Sequence, residues 1–529
     1  MHTRLAHQAC IALVAGVVFF ANLGGPKLWD DDEPRNAQCA REMFERGDPI
    51  EPTFNHEPRT DKPALLYWLM MGSYSLFGVS EFAARFPSAV LGVGTVLATY
   101  HLGRLLFRPQ IGLWAGLIMA TNVMFGVAAR AATPDSALIF FTTLALLMYV
   151  GTLTSWRGGS FLLGWRSIPA GDFAAAFPRS WKGAAAVYAP MGFAALAKGP
   201  IGVLLPCAGI GLFLLLTCVR PQVQAPMPER ATLFALWIYR ARLAVARTAE
   251  YASWIFRAER AMWPNVLVAT VGAVALPWYL WVTIKTHGDW TRSFFLTHNL
   301  DRYLHPMEGH HGSIFFHVLA VVVCFFPWSF LLPAAWAQGI RRLRTGEPAG
   351  AAYLLLMSWI AVWFVVFSLA GTKLPSYVLP AYPALAVVCG SWIADWVAAP
   401  MRRRAFRWLS IGWAGLPLVG IGLAVGMGVV SVRWLSGQTN LAWIGAIPIV
   451  GGVLGWSLHR RRQAGWAFGS LAVTSAVLLA ALFAAAAVPI SRRQNSVLLA
   501  EMLQREADKP DQLGLFGIGF AGVVYYSDR

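Results

Sequence analysis

Apolar residues in this chain do not alternate with polar ones. They come in unbroken runs of roughly 17–25 residues, separated by short polar stretches. A helix rising 1.5 Å per residue needs about 20 such residues to cross some 30 Å of hydrocarbon. Runs at 10–24, 82–106, 112–130, 136–153, 183–197, 201–219, 264–284, 313–335, 351–370, 377–397, 408–432, 441–458 and 464–490 each meet that length or approach it. The pattern predicts about 13 transmembrane helices. The first run, preceded by Arg4, has the outline of a signal peptide. We read it as an uncleaved first span, because the polar stretch after it carries the most distinctive chemistry of the chain.

Composition agrees. Of 529 residues, 57% are hydrophobic and 13% charged, against about 45–50% and about 25% in soluble domains. This excludes a soluble enzyme, a disordered chain and a disulfide-stapled secreted domain. The six cysteines form no CxxC pair, and most lie in apolar runs, so no thiolate metal site is implied. The net charge of +17 would suggest nucleic acid if it lay on a soluble face. Instead it clusters between spans, at Arg341–Arg344, Arg402–Arg407 and His459–Arg462. With the N-terminus in the cytoplasm, every basic cluster except Arg492–Arg493 falls on the cytoplasmic side, as the positive-inside rule requires. The same argument makes residues 220–263 an amphipathic helix on anionic headgroups, with Leu233, Leu236 and Trp237 opposed to Arg240, Arg242 and Arg247.

Two long segments are then external. Residues 25–80 hold ten of the chain's 26 acids, and residues 285–312 five of its eleven histidines. Function is expected there. Residues 1–490 form the membrane domain, and 491–529 a short external segment with a helix over 494–505 and strand over 513–526. There is no internal repeat.

The first segment begins Asp30-Asp31-Asp32-Glu33-Pro34-Arg35. Pro34 sets a helix start, and acids there complement the helix dipole. Capping needs one or two carboxylates, so four in a row point to a functional one. Ala37, Ala40, Met43 and Phe44 give that helix an apolar stripe, which predicts that it lies along the bilayer. Next, Asp61-Lys62-Pro63 opens a second interfacial helix, with Tyr67 and Trp68 as headgroup anchors. Lys62 opposes the dipole unless an anion sits beside it. It is either a snorkelling lysine or part of a phosphate site. Asp135, after Thr133-Pro134, is either an N-cap or a functional carboxylate at the outer mouth of a span. Lys198 and Lys373 fall at outer helix ends, and His298 and Arg302 lie in the second external segment. Arginine suits bidentate phosphate binding. Together these residues suit transfer from a lipid-linked phosphate: cations steady the departing phosphate, and a carboxylate takes the proton of the attacking hydroxyl. No GxGxxG or P-loop is present, which disfavours a nucleotide donor.

Eight stretches, in order, carry a family resemblance: DEPRNAQCAREMFERGD (32–48), DKPALLYWL (61–69), FGVSEFAARFPSAV (77–90), LAKGPIGVLLP (196–206), PWYLWV (277–282), THNLDRYL (297–304), FFPWSFLLP (325–333) and TKLPSYVLPAYPALA (372–386). The chain resembles the ArnT-like glycosyltransferases of the dolichyl-phosphate-mannose protein mannosyltransferase superfamily, which have the GT-C fold. The resemblance implies an all-α polytopic protein of a bacterial inner membrane with a periplasmic active site. It implies sugar transfer from a polyprenyl-phosphate donor to lipid A, another glycolipid or a protein hydroxyl. It gives Asp32 the principal catalytic role, with Glu33 and Asp135 assisting. It assigns Arg35, Lys62, Lys198, Arg302 and Lys373 to the lipid phosphate, and Asp61 with His298 to a divalent cation if one is used. Membrane lipids are expected partners and nucleic acid is not. The chain departs from the family at Asn36, where an aromatic is usual, and at Asp61, where Glu is common. A lipid-phosphate transporter is the competing class, but it would carry its charges at mid-membrane depth.

Overall fold

The computed structural model describes residues 2–29, 32–156, 172–217, 233–305, 312–347, 349–399, 403–435, 438–505 and 521–527. Asp30, Asp31, His310, His311 and the region 506–520 lie outside them. Among the described residues the regular structure is helical, except for one two-stranded hairpin. In chain order come α1 (His2–Phe20), α2 (Asp32–Arg46), the hairpin β1 (Thr53–Phe54) and β2 (Glu57–Pro58), α3 (Leu65–Phe77), α4 (Glu81–Leu106), α5 (Pro109–Thr121), α6 (Val123–Ala128) and α7 (Asp135–Trp156). Then follow α8 (Trp181–Lys198), α9 (Ile201–Thr217), α10 (Leu233–Ala261), α11 (Pro264–Lys285), α12 (Asp289–Arg292), a π-helical turn over Ser293–Asp301 and α13 (Arg302–Leu304). The remainder comprises α14 (Phe316–Cys324), α15 (Leu332–Thr345), α16 (Gly350–Leu369), α17 (Tyr382–Ala398), α18 (Arg403–Arg433), α19 (Ala446–Arg460), α20 (Ala464–Ala481), α21 (Ala487–Ser491), α22 (Asn495–Arg505) and α23 (Ala521–Ser527).

Among the described residues nine helices are long and apolar enough to span a membrane, or ten if a bent pair counts as one. The expected run at 313–335 is that pair: its two halves meet at 116°. The run at 112–130 divides where Asn122 ends α5 and caps α6, its Oδ1 accepting from the Phe125 N–H at 3.0 Å. Many hydroxyls inside the bundle bond back along their own helix, as Thr142 does to the Leu138 carbonyl at 2.7 Å. Hydroxyls satisfied in this way can be buried without needing a partner from another helix.

The long elements have two distinct ends. At one, Lys27 meets Glu81 at 3.0 Å, Arg85 meets Glu33, and Lys198 meets Asp135. At the other, Asp395 collects Arg108 at 3.1 Å, Arg342, and Gln338 at 2.9 Å. The loops that the charge pattern assigns to opposite faces therefore do lie at opposite ends of the bundle.

Two interfacial expectations are corrected. Ala37, Ala40 and Met43 are fully buried, packed with Tyr67, Met70 and Tyr74 of α3 and Ala83 and Ala84 of α4. The stripe of α2 therefore faces protein and only Phe44 stays exposed. Tyr67 belongs to that cluster and so is no headgroup anchor; Trp68, half-buried, donates its Nε1 to the Pro49 carbonyl at 2.7 Å. At the other terminus, residues 521–527 are helical where strand is expected. Their β-branched and aromatic residues pack on α2 and α22, and that packing overrides propensity.

Candidate active site

The two external segments dock on each other. Lys285 pairs with Asp48, Trp278 Nε1 donates to the Ile50 carbonyl at 3.0 Å, and Trp290 Nε1 to the Arg59 carbonyl at 2.7 Å. Not all the acids of the first segment reach the site. Glu42 is buried and holds the hairpin, accepting from Thr53 Oγ1 at 2.6 Å and the Asn55 N–H at 2.7 Å. Two clefts open at this end.

The first, of about 280 Å³, is lined by Trp29, Asp32, Arg130 and Thr133, among others. Asp32 is exposed. Its neighbour Glu33 is not: its carboxylate accepts from Arg85 at 2.7 and 2.9 Å, from the Trp29 N–H at 2.6 Å and from the Ala132 N–H at 2.7 Å. Burial alone would raise its pKa, but the Arg85 guanidinium and the two backbone donors hold it below the usual carboxylate range. Both oxygens are thus occupied by four donors, although Glu33 lines the cleft beside Asp32. It ties the 26–29 turn and the 132–135 loop together around Asp32.

The second cleft, of about 100 Å³, brings together Asp61, Lys62, Lys198, His298 and Arg302, with Phe294, Phe367 and Tyr377 as apolar wall. Lys198 contacts Asp135 and sits 5.4 Å from the Tyr377 ring. Its position depends on Gly199, whose φ of +80° is left-handed and whose added Cβ would stand 2.6 Å from the Phe294 ring. Asp61 is held by Arg59 at 2.5 and 3.0 Å, while Lys62 stands 3.6 Å away. Burial works against its ionisation, but Arg59 and then Lys62 outweigh it and keep Asp61 ionised well below the usual range. Lys62 is held below the ordinary lysine pKa by burial, with Lys198 and Arg59 adding to the effect against Asp61 and Asp32. Three cations and one carboxylate line this cleft. Behind them Arg59 and Asp135 cancel, which leaves an excess of two positive charges.

Arg35, in the first turn of α2, lines neither cleft. Lys373 does not join them either. Its Nζ donates to the Ser368 carbonyl at 2.7 Å and the Ala370 carbonyl at 2.9 Å, closing the C-terminal end of α16. Lys373→Ala is expected to cost about 1–3 kcal/mol of stability while leaving anion binding in the cleft unchanged. A thermal-shift assay beside a donor-binding assay checks both. The expectation of a divalent cation on Asp61 and His298 finds no support in the donor set. No third His, Cys, Asp or Glu joins them among the described residues, and both Asp61 oxygens already face cations.

Arg59 and Arg85 are not marked out by the sequence, and Asn36 stands out there only as a departure from the family. Arg59 is buried and also donates to Asn36 Oδ1 at 2.9 Å; Asn36 Nδ2 donates to the Ala132 carbonyl at 2.9 Å. This relay ties Asp61 to the loop that carries Asp135. Thr60 and Ser293, 2.8 Å apart, join the same wall.

Residues 61–165 match the family model of the dolichyl-phosphate-mannose-protein mannosyltransferases. The chain is 27% identical over 380 residues to a protein of Aquifex aeolicus, a match covering 71% of this chain and 62% of that one. It is thus less than two thirds of that relative's length that the chain spans. It is 25% identical over 489 residues to the undecaprenyl phosphate-alpha-4-amino-4-deoxy-L-arabinose arabinosyl transferase of Pectobacterium atrosepticum, covering 91% of this chain and 76% of that enzyme. The fold matches the crystal structure of ArnT from Cupriavidus metallidurans bound to undecaprenyl phosphate, with a TM-score of 0.68 and 22% identity over 99% of this chain and 84% of that one. The chain is thus similar over part of its length to the dolichyl-phosphate-mannose-protein mannosyltransferases and to an arabinosyl transferase, and its fold is that of ArnT.

Proposed function

We propose that this enzyme moves a sugar from a polyprenyl-phosphate carrier of the undecaprenyl type to a hydroxyl of an envelope acceptor, lipid A or another glycolipid, at the periplasmic face of the bacterial inner membrane. The N-terminus then lies in the cytoplasm. One observation carries the reading: the second cleft gathers Lys62, Lys198 and Arg302 beside an apolar wall. That is the complement of a phosphate attached to a lipid.

In the proposed reaction the donor phosphate lies against Lys62, Lys198 and Arg302, with its first isoprenoid units along Phe294 and Phe367. The acceptor enters by the Asp32 cleft. Asp32 takes the proton as the acceptor oxygen attacks the anomeric carbon, the carbon–oxygen bond to phosphate breaks, and the carrier leaves as polyprenyl phosphate. Lys62 of the second cleft feels the charge of Asp32 of the first, which supports a reaction that draws on both. Asp135 holds Lys198 in place. His298 lines the phosphate cleft, and we give it an orienting role.

Lys62→Ala and Arg302→Ala should each weaken donor binding on the order of 10- to 100-fold, the loss of one hydrogen bond to a charged group. Binding of undecaprenyl phosphate to purified variants tests this, and unchanged affinity would refute the phosphate assignment. Affinity should also fall as pH rises, and before the ordinary lysine range near 10.5, because Lys62 has a lowered pKa and loses its proton early. Titration of donor affinity between neutral and alkaline pH reads this; Lys62→Arg should abolish the early fall.

A further inference from the structure

A cavity of about 730 Å³ lies at the end of the bundle opposite the two clefts. It is open to the surface and enclosed by α4, α7, α8 and the segment that leads into α8. Ser180 and Gly183, at the start of α8, line it, whereas Lys198, at the end of the same helix, lines the phosphate cleft. Eighteen helical residues put about 27 Å between them. Donor chemistry therefore does not explain this cavity.

Its lining has two parts. Leu147, Met148 and Phe177 supply apolar wall, while His101, Arg104 and Arg179 supply the polar groups. No Asp or Glu lines it among the described residues. The Nε of Arg104 is shut off from solvent and has no hydrogen-bond acceptor, an arrangement that costs free energy unless an acceptor arrives. The positive end of the α8 dipole points to the same place, its first turn capped by Ser180 Oγ accepting from the Gly183 N–H at 3.1 Å. Gly151 of α7 keeps the volume open: a Cβ there would meet only Leu105, at 4.0 Å.

We propose that this cavity binds an anionic phospholipid, its phosphate against Arg104 and Arg179 and one acyl chain along Leu147 and Met148. A soluble anion would use the arginines but not the apolar wall, and a neutral lipid the wall but not the arginines. Basic pockets between spans at the cytoplasmic surface are suited to this ligand class. A bound lipid would bridge α4, α7 and α8 at their ends.

Native mass spectrometry of the purified full chain, delipidated and titrated with phosphatidylglycerol, phosphatidylcholine or glycerol phosphate, tests the assignment. The first phosphatidylglycerol should bind at least tenfold more tightly than phosphatidylcholine, and glycerol phosphate should not displace it. The double variant R104Q/R179Q should lose that preference. Gly151→Phe, which fills the cavity without touching a charge, should lower phosphatidylglycerol occupancy by a similar factor, and it serves if the double variant does not fold. Equal binding of the two lipids by the native protein, displacement by glycerol phosphate, or full phosphatidylglycerol binding by Gly151→Phe would each overturn the proposal.

Discussion

Asp32→Asn is expected to lower the rate of sugar transfer by about 10²–10⁴-fold, the usual worth of a positioned general base, with donor affinity and thermal stability close to those of the native protein. Three features set this expectation. Asp32 is exposed in its cleft, so the amide adds no buried unsatisfied group. It lies beside Glu33, whose bonds to Arg85, Trp29 and Ala132 hold the local backbone whatever residue 32 is. The cations proposed to hold the phosphate line the other cleft. Single-turnover transfer with saturating donor, beside a binding isotherm, separates the outcomes. A lowered affinity with an unchanged rate would move Asp32 from proton transfer to donor binding.

The second large effect is on folding. Arg85→Leu should destabilise the protein by about 3–5 kcal/mol, because it strands the buried Glu33 carboxylate without its counter-ion. Arg85 also donates to the carbonyls of Leu23, Pro26 and Lys27, so the turn that leads to Asp32 loses three anchors at once. Adding Glu33→Leu should recover a large part of the loss, since the pair rather than either charge is what the interior accepts. Thermal unfolding of the two single variants and the double variant in one detergent forms the cycle. Additive losses would mean that Arg85 acts through the turn carbonyls and not through Glu33.

Much of this architecture can be read from the chain because membrane spans obey a length rule. A run of about 20 apolar residues has few alternatives in lipid, and the charges between the runs separate the two ends of the bundle. Lys62, Lys198, His298 and Arg302 were legible for the same reason: each sits at a helix end or in an external segment, at one level of the bundle. What failed was anything decided by a distant partner. Asp32 and Glu33 are neighbours in sequence, yet a helical step of about 100° leaves Asp32 exposed and buries Glu33 against Arg85, 52 residues away. Nothing local marks Arg85, which sits in an apolar run, as the mate of Glu33. Nothing in the stretch around Arg59 announces that it will be buried and will clamp Asp61. Lys373 misled in the opposite way: its position matches that of Lys198, but its acceptors are carbonyls three and five residues back. The stripe on α2 was real, and only its partner was misjudged, because an apolar face does not say whether lipid or protein will cover it.

The central claim is that charged clefts at one end of the bundle carry out transfer from a lipid-linked phosphate. Reconstitution in liposomes with a radiolabelled undecaprenyl-phosphate sugar and a glycolipid acceptor tests it most directly. The account predicts label in a new glycosidic product, with free undecaprenyl phosphate released in equal amount. Label that crosses the bilayer still attached to its carrier, with no glycosidic product, would contradict it.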